Sequence, residues 1–273
     1  MLGDDRDPTL VKARRGLLDA LTALGPHAAG VVLVGAQAVY LHTGEIRTGV
    51  ALFTKDADVM LVPPIAVEPD IEEAMRSAGF EPGSQPGIWL DDGRQVDLLV
   101  PERLATRQGA RAARLEGHGS RSARKVSGLE GAAVDNSLMT LRSLDPSDSR
   151  TASLLVAGPA ALLVAKAYKL AERAAEGGRR LDSKDAFDSH RLLLLPTDRL
   201  VQGFRVMAGD PTASSVARAG LGKIRELFAS ELAVGSNLAG RYVEGVGDPV
   251  NIRVSTAALA ADLVAALDAE TLW

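Results

Sequence analysis

The sequence predicts an α/β (α+β) protein in two parts, a mixed sheet with flanking helices over residues 1–150 and a helical bundle over residues 151–273. In the first part, short apolar runs typical of buried strands alternate with helical patterns. The second part contains almost only helical patterns. A length of 273 residues with 46% hydrophobic content is sufficient for a packed core.

The elements of the first part follow from periodicity and from turn residues. Leucines at helical spacing predict the first helix, and Gly25-Pro26 ends it. Asp92-Gly93 is a two-residue hairpin signal between two apolar runs, the second of which contains Asp97. In order, we predict a helix at 9–24, a strand at 31–34, a short helix ending at 44, a strand at about 56–62, a helix within 68–80 and the hairpin.

The second part begins with one last strand near residues 153–158. A helix is then predicted to begin at Pro159. Proline is favoured at the first helical position, because the N–H that it lacks would have no intrahelical partner there. Asp182 or Ser183 caps the next helix, which ends at Pro196. Further helices are predicted at 197–207, 213–233 and 256–270.

Composition excludes several classes of protein. The chain has no cysteine, which excludes disulfides, thiolate zinc sites and cysteine nucleophiles. The N-terminus is acidic, unlike a signal peptide, and the uncharged apolar stretch Ala152–Ala165 is shorter than the roughly 18 residues that span a bilayer. We therefore expect a cytoplasmic protein with no membrane partner.

Two acids on one strand are the first candidate site. Side chains alternate along a strand, so Asp56 and Asp58 project from the same face. Their mutual repulsion would be relieved by a divalent cation, and Mg²⁺ (or Mn²⁺) commonly uses one or two carboxylates together with substrate phosphates. Asp97, on a strand that can pair beside the first, is a candidate third ligand. The alternative is a solvated strand face without a metal.

The turn at Gly35 is a candidate phosphate site. A strand that leads through glycine into a helix presents unpaired backbone N–H groups, which attract phosphate. This turn is followed by Thr54-x-Asp56-x-Asp58 and then by Asp97.

This order resembles the nucleotidyltransferase superfamily, whose pattern is a Gly-Ser or Gly-Gly turn, an Asp-x-Asp pair and a later strand acid. The stretches "LLVAKAYKLAER" and "SKDAFDSHRLL" are similar to motifs of the AbiEii and MenT-like toxins of bacterial toxin–antitoxin systems. The resemblance covers about residues 30–195. It implies a nucleotidyltransferase-type sheet, NTP as substrate, transfer to RNA such as the tRNA acceptor end or to a protein hydroxyl, and a cognate antitoxin.

The resemblance also implies residue roles. Asp56 and Asp58 would be metal-binding catalytic acids, Lys166 would be catalytic and contact the triphosphate, and Asp188 would be the acid of the second motif. The supporting and nucleotide-binding residues would be Gly35, Ala36, Thr54, Arg173, Lys184 and Asp185. Three departures are visible. Ala36 replaces the serine or second glycine, and the arginine expected just before Thr-x-Asp is Arg47, further away than in the pattern. Asp97 matches the wider superfamily better than the toxin branch.

Helical spacing supports the second-half candidates independently. Lys166, Lys169 and Arg173 share one helix face, and Asp185 and Asp188 are one turn apart on the next helix. If Lys166 faces the strand acids across a cleft between the two parts, it supplies positive charge for a leaving pyrophosphate. The alternative is a set of interhelical salt bridges.

A basic segment extends from Arg103 to Lys125, with seven basic residues and one acid, although the whole chain has a net charge of −4. Together with "GGRRLDSK" it is a candidate contact for an RNA backbone. The alternative is a solvated amphipathic helix followed by a loop. Two other functions stay open: transfer to a small molecule, as in aminoglycoside-modifying enzymes, and a catalytically inactive binding protein of the same fold.

Overall fold

The computed structural model describes residues 7–44, 46, 48–105, 111–177 and 181–273, and the chain forms two compact units. Unit 1 comprises the chain up to Ala38, Ala51–Val126 and Asn136–Val156. Unit 2 comprises Val39–Val50, Ser127–Asp135 and Ala157–Trp273. Both units are therefore discontinuous in sequence.

Unit 1 contains a mixed sheet, as the fold class predicts. Its strands are β1 (Val31–Val34), β2 (Asp56–Leu61), β3 (Glu81–Pro82), β4 (Ile88–Asp91), β5 (Arg94–Pro101), β6 (Arg124–Val126), β7 (Asn136–Arg142) and β8 (Thr151–Ala157), the last residue of which belongs to unit 2. The strand order is β3-β4-β5-β2-β1-β8-β7, with β6 paired to β5. β1 is antiparallel to β2 and parallel to β8, whereas β2 and β5 are parallel.

The predicted local elements of unit 1 are confirmed. Helix α1 (Pro8–Ala23) is capped by Asp7 and packs on β2 and β5, and α3 (Ile71–Ser77) is capped by Asp70. The hairpin turns at Asp92 and Gly93, which have φ values of 41° and 71° as a type I′ turn requires. The short strands β3 and β6 and the strand β7 were not predicted.

Helix α2 (Gly35–Thr43) begins in unit 1 and ends in unit 2, which is otherwise helical. The other helices are α4 (Pro159–Ala175), α5 (Ser183–Leu193), α6 (Thr197–Ala208), α7 (Ser214–Phe228), α8 (Val234–Tyr242) and α9 (Pro249–Asp268). The predicted helical C-terminal region is thus confirmed. Asp182, the first of the two predicted caps, accepts a hydrogen bond from the Lys184 N–H.

Two predicted helix bounds are wrong. The helix expected at 213–233 ends at Phe228, and a separate helix, α8, follows; the Ser236 hydroxyl of α8 donates to the Phe228 carbonyl. α9 begins at Pro249 rather than near 256, because Asp248 caps it by accepting from the N–H groups of Val250 and Asn251.

Among the described residues, α9 is the one helix that is long and apolar enough to cross a membrane by length and composition. One such helix is weak evidence for a span, because core helices of proteins outside membranes pass the same test. A clear membrane span is therefore not found in the described part of the chain.

Candidate functional site

The two acids of β2 lie on one face of the strand, as predicted. Asp56 and Asp58 are half-buried. Ala57, which lies between them, and Val59, which follows, are fully buried on the other face. The pairing register sets Asp58 opposite Val34, the last residue of β1, and next to Gly35, where α2 begins. The acids therefore face the beginning of a helix within unit 1.

Gly35 is required at this turn for two reasons. Its φ of +67° lies in the left-handed region, which favours glycine. A Cβ at this position would lie 2.0 Å from Oδ2 of Asp58, so the carboxylate occupies the space of the missing side chain. The Asp58 carboxylate is thus held against the first turn of α2, where backbone N–H groups lack intrahelical partners.

Asp56 is positioned by two buried polar side chains. Thr54 is 2% exposed, and its hydroxyl donates to Oδ1 of Asp56 at 2.8 Å. The amide of Gln37, 1% exposed, donates to the Asp56 backbone carbonyl at 3.3 Å, and its Oε1 accepts from Nε of Arg14 at 2.7 Å. Arg14 also donates to the Arg142 carbonyl. Helices α1 and α2 thus fix the first residue of β2.

Asp97 lies in register with Asp58 on the neighbouring parallel strand β5, on the same face of the sheet. It is 4% exposed, and both of its oxygens accept hydrogen bonds from side chains. Oδ1 accepts from the Gln95 amide at 2.8 Å, and Oδ2 is ion-paired with Arg124 of β6. A metal that binds Asp97 Oδ2 would therefore have to displace the Arg124 guanidinium.

Asp56 and Asp58 fit a magnesium ion by the chemistry of their oxygens, since two carboxylates on one face leave further coordination positions for water or phosphate. Asp97 has the same chemistry, but its negative charge is already balanced by Arg124. Among the described residues, no group of three or more acids or histidines is arranged as a complete metal site. The role of Asp97 as a third ligand stays a prediction.

Comparisons with protein-family models, with curated proteins and with solved structures found no match to this chain. Any functional assignment therefore rests on the residues of this chain and their geometry. The resemblance to nucleotidyltransferases and to AbiEii and MenT-like toxins stays a prediction.

The second group of candidates assembles within unit 2, around a buried lysine. Lys166 of α4 is 5% exposed, and its ammonium donates to Asp185 Oδ1 at 2.6 Å and to Asp188 Oδ2 at 2.7 Å. Both acids belong to α5 and are 3% and 1% exposed. The interhelical salt bridges that the sequence suggested as an alternative are therefore present between α4 and α5.

Three less buried cations surround the same two acids. Lys169 and Arg173 contact Asp185 at 2.9 and 2.8 Å, and Lys184 contacts Asp188 at 3.2 Å. Their side chains are 46%, 24% and 18% exposed, compared with 7% for Lys166. With Lys166, four described cations meet two buried carboxylates, and the positive excess suits an anionic ligand.

Charge interactions determine the protonation of this cluster. Burial alone would lower the pKa of Lys166, but the charges of Asp185 and Asp188 outweigh it and raise the pKa well above 10.5. Burial alone would raise the pKa of Asp185, but Lys166 and then Lys169 hold it below its ordinary value of 3.8. Lys166 and Asp185 are therefore both ionised at neutral pH.

An arginine that the sequence interpretation did not single out adjoins this cluster. Arg191 is 2% exposed, donates to the Val50 carbonyl at 2.9 Å, and lies over the rings of Tyr40 and Phe187. Lys184 also lies over the Tyr40 ring. The sequence alone could have indicated Arg191, because it is seven residues from Lys184 and therefore on the same helix face.

Residues 111–116 of the basic segment are not helical, so the amphipathic-helix alternative is wrong for this part. Residues 117–125 form turns that lead into β6, in agreement with the loop of that alternative. A cavity of about 510 Å³ is lined by Arg114–His118 in this segment and not by the acids of β2. Arg47, residues 106–110 with Arg107, and residues 178–180 of "GGRRLDSK" lie outside the described residues. The RNA contact stays a prediction.

Proposed function

We propose that this chain is a metal-dependent nucleotidyltransferase that transfers a nucleotide from an NTP to an acceptor hydroxyl. The observation that carries the proposal is the position of Asp56 and Asp58, which share one face of β2 beside the glycine turn that begins α2. Carboxylates next to backbone N–H groups that lack intrahelical partners combine the two requirements of phosphoryl chemistry, a metal site and an anion site.

In this proposal the residues of unit 1 bind and orient. Asp56 and Asp58 hold Mg²⁺ or Mn²⁺, and Thr54 fixes the Asp56 carboxylate. The backbone N–H groups of Gly35 and Ala36 would donate to phosphate oxygens. Ala36 has no hydroxyl that could add a further contact. When bound, the ion stabilises the charge that develops on the phosphoryl oxygens. One of the two carboxylates would accept the proton of the attacking hydroxyl, whose oxygen bonds to the α-phosphorus as the bond from that phosphorus to the β-phosphate oxygen breaks and pyrophosphate leaves.

The cation cluster of unit 2 is proposed to bind polyphosphate. Lys169, Arg173 and Lys184 have exposed fractions that permit contact with an anion. Lys166 has used two of its three ammonium donors on Asp185 and Asp188, so its third donor is the one available to a phosphate. Its main role is to hold the two acids in place.

The acceptor we favour is RNA, such as the tRNA acceptor end, with a protein hydroxyl as the other possibility that the toxin resemblance implies. The basic residues of Arg111–Lys125 support an RNA backbone contact. A toxin of this kind would be controlled by a cognate antitoxin, a statement that rests on the resemblance, and would act in the cytoplasm, which the composition of the chain leads us to expect.

A labelling experiment tests the proposal. The purified chain is incubated with Mg²⁺, with each of CTP, UTP, ATP and GTP carrying an α-phosphate label, and with total tRNA. We expect label in tRNA with the wild-type chain and none with Asp56→Asn, which removes the carboxylate charge at nearly constant volume.

The two other functions are outcomes of the same experiment. Label that appears only when an aminoglycoside is offered would establish a small-molecule transferase. NTP binding that Asp56→Asn leaves unchanged, with no release of pyrophosphate under any condition, would contradict the proposal and leave a binding protein.

A further inference from the structure

The third acid of the sheet, Asp97, carries an internal counter-ion. Arg124 is in register with Leu99, two residues beyond Asp97 on β5, and so lies on the same face as Asp97. Its guanidinium is ion-paired with Asp97 Oδ2 at 2.5 Å. The side chain of Asp97 is 5% exposed and that of Arg124 is 25% exposed, so the acid is enclosed while the arginine borders solvent.

The backbone that carries Arg124 is tightly fixed. The Gly87 N–H donates to the Arg121 carbonyl at 2.9 Å, and the Trp89 indole donates to the Ser122 carbonyl at 3.1 Å. A Cβ at Gly87 would lie 2.7 Å from the Arg124 nitrogen, which shows how closely the two segments pack. We therefore expect a change at this ion pair to be a rotation of the Arg124 side chain.

Charge on this face of the sheet explains why such a counter-ion is needed. Asp58 and Asp97 are directly paired across neighbouring strands, which are about 4.8 Å apart. Carboxylates at neighbouring positions of one sheet face repel each other, and an adjacent cation relieves the repulsion. Arg124 fulfils this role in the structure, and a divalent cation at Asp58 would fulfil it equally while repelling the guanidinium.

We propose that Arg124 is an exchangeable counter-ion that competes with the divalent cation for Asp97, so that its side chain turns away when the metal binds. The proposal rests on the proposed metal site at Asp56 and Asp58. Arg124 belongs to the basic segment, so this segment would have a second role. An anion that binds the Arg124 guanidinium would draw it away from Asp97 and so strengthen metal binding at Asp56 and Asp58.

Mn²⁺ binding, followed by the loss of the free-ion EPR signal, tests this proposal without any activity measurement. We expect Arg124→Gln to bind Mn²⁺ about tenfold more tightly than the wild-type chain, since one positive charge is removed beside the ion. Arg124→Lys should stay close to wild type. Arg76→Gln, which removes an exposed charge of the same unit from its pair with Glu81, should have no effect.

A second measurement guards against a folding defect in Arg124→Gln, which removes an ion pair from a buried carboxylate. In the wild-type chain, the Nε–H resonance of Arg124, assigned by its absence in the variants, should shift when Mg²⁺ is added. The shift should be lost in Asp97→Asn, and adding Asp97→Asn to Arg124→Gln should cancel the gain in Mn²⁺ affinity.

The outcomes separate the two proposals. Equal or weaker Mn²⁺ binding by folded Arg124→Gln, or an Arg124 resonance that Mg²⁺ leaves unmoved, would overturn the counter-ion role while the metal site stands. Mn²⁺ affinity that is the same in wild type and Asp56→Asn, or no binding by any of these variants, would remove the metal site and the counter-ion role together.

Discussion

Replacing Lys166 by methionine is the sharpest test of the buried cluster in unit 2. The substitution keeps most of the side-chain volume and removes two charge-assisted hydrogen bonds, at 2.6 and 2.7 Å, from acids that are almost fully buried. Breaking a buried pair by removing one partner costs about 3–5 kcal/mol, because the remaining charge is left without compensation. Asp185 keeps Lys169 and Arg173, and Asp188 keeps Lys184, so we expect a loss of about 3 kcal/mol, at the lower end of this range.

Thermal unfolding at pH 7, followed by far-UV circular dichroism, measures this loss. For a chain of this size, about 3 kcal/mol corresponds to a decrease in Tm of about 5 °C. The raised pKa of Lys166 means that its stabilisation is present below pH 10.5 and is lost only as the pH rises through the still higher folded-state pKa. The lowered pKa of Asp185 means that its stabilisation is present above pH 3.8 and is lost in acid. The effect should therefore be constant near neutrality.

Lys169→Met is the matched control. Lys169 contacts the same carboxylate at 2.9 Å, but its side chain is 46% exposed. Exposed ion pairs contribute at most about 1 kcal/mol, so this variant should unfold within a few degrees of the wild type. If Lys166→Met and Lys169→Met lower Tm equally, burial does not govern the strength of these pairs, and the positioning role of Lys166 is refuted.

Three further predictions concern other sites. Gly35→Ala should abolish Mn²⁺ binding and lower Tm, because the new methyl group displaces the Asp58 carboxylate; an unchanged titration would refute this. Thr54→Val should weaken Mn²⁺ binding several-fold with little change in Tm, since it frees the Asp56 carboxylate, and equal affinities would refute it. Burial lowers the pKa of His190 to about 4, so its neutral ring stabilises the fold above pH 6.5 and this stabilisation is lost as the pH falls towards 4; an NMR titration with a pKa near 6.5 would contradict it.

Much of the fold was predictable because local signals were strong. The apolar run Val31–Val34, the Asp92-Gly93 turn and the proline at 159 each specify a local conformation independently of the rest of the chain. The shared face of Asp56 and Asp58 followed from strand geometry alone.

Helix α8 could not be predicted, because its close packing requires glycines, which disfavour helices. A Cβ at Gly235 would lie 2.4 Å from the Phe228 ring, and one at Gly240 would lie 2.5 Å from the Pro249 carbonyl. Glycine is therefore required for close approach at two positions of a nine-residue helix, although it lowers helix propensity. Periodicity alone does not reveal such a helix.

The surroundings of the candidate site depend on contacts between distant residues. The Asp97–Arg124 pair joins residues 27 apart, and the Arg14–Gln37 bond joins residues 23 apart on two helices. Neither pair has a spacing rule that identifies it in advance. By contrast, Lys166, Asp185 and Asp188 were predictable as two charged helix faces, and only their burial required the structure.

The interleaved path of the chain has a consequence for how the protein is made. Val32 pairs with Leu155, so the parallel pairing of β1 with β8 cannot form until more than half of the polypeptide has been synthesised. The chain passes between the units after residues 38, 50, 126, 135 and 156, and no single cut separates them. A fragment ending at residue 150 would lack β8 and leave β1 with an unpaired edge, which favours aggregation during expression.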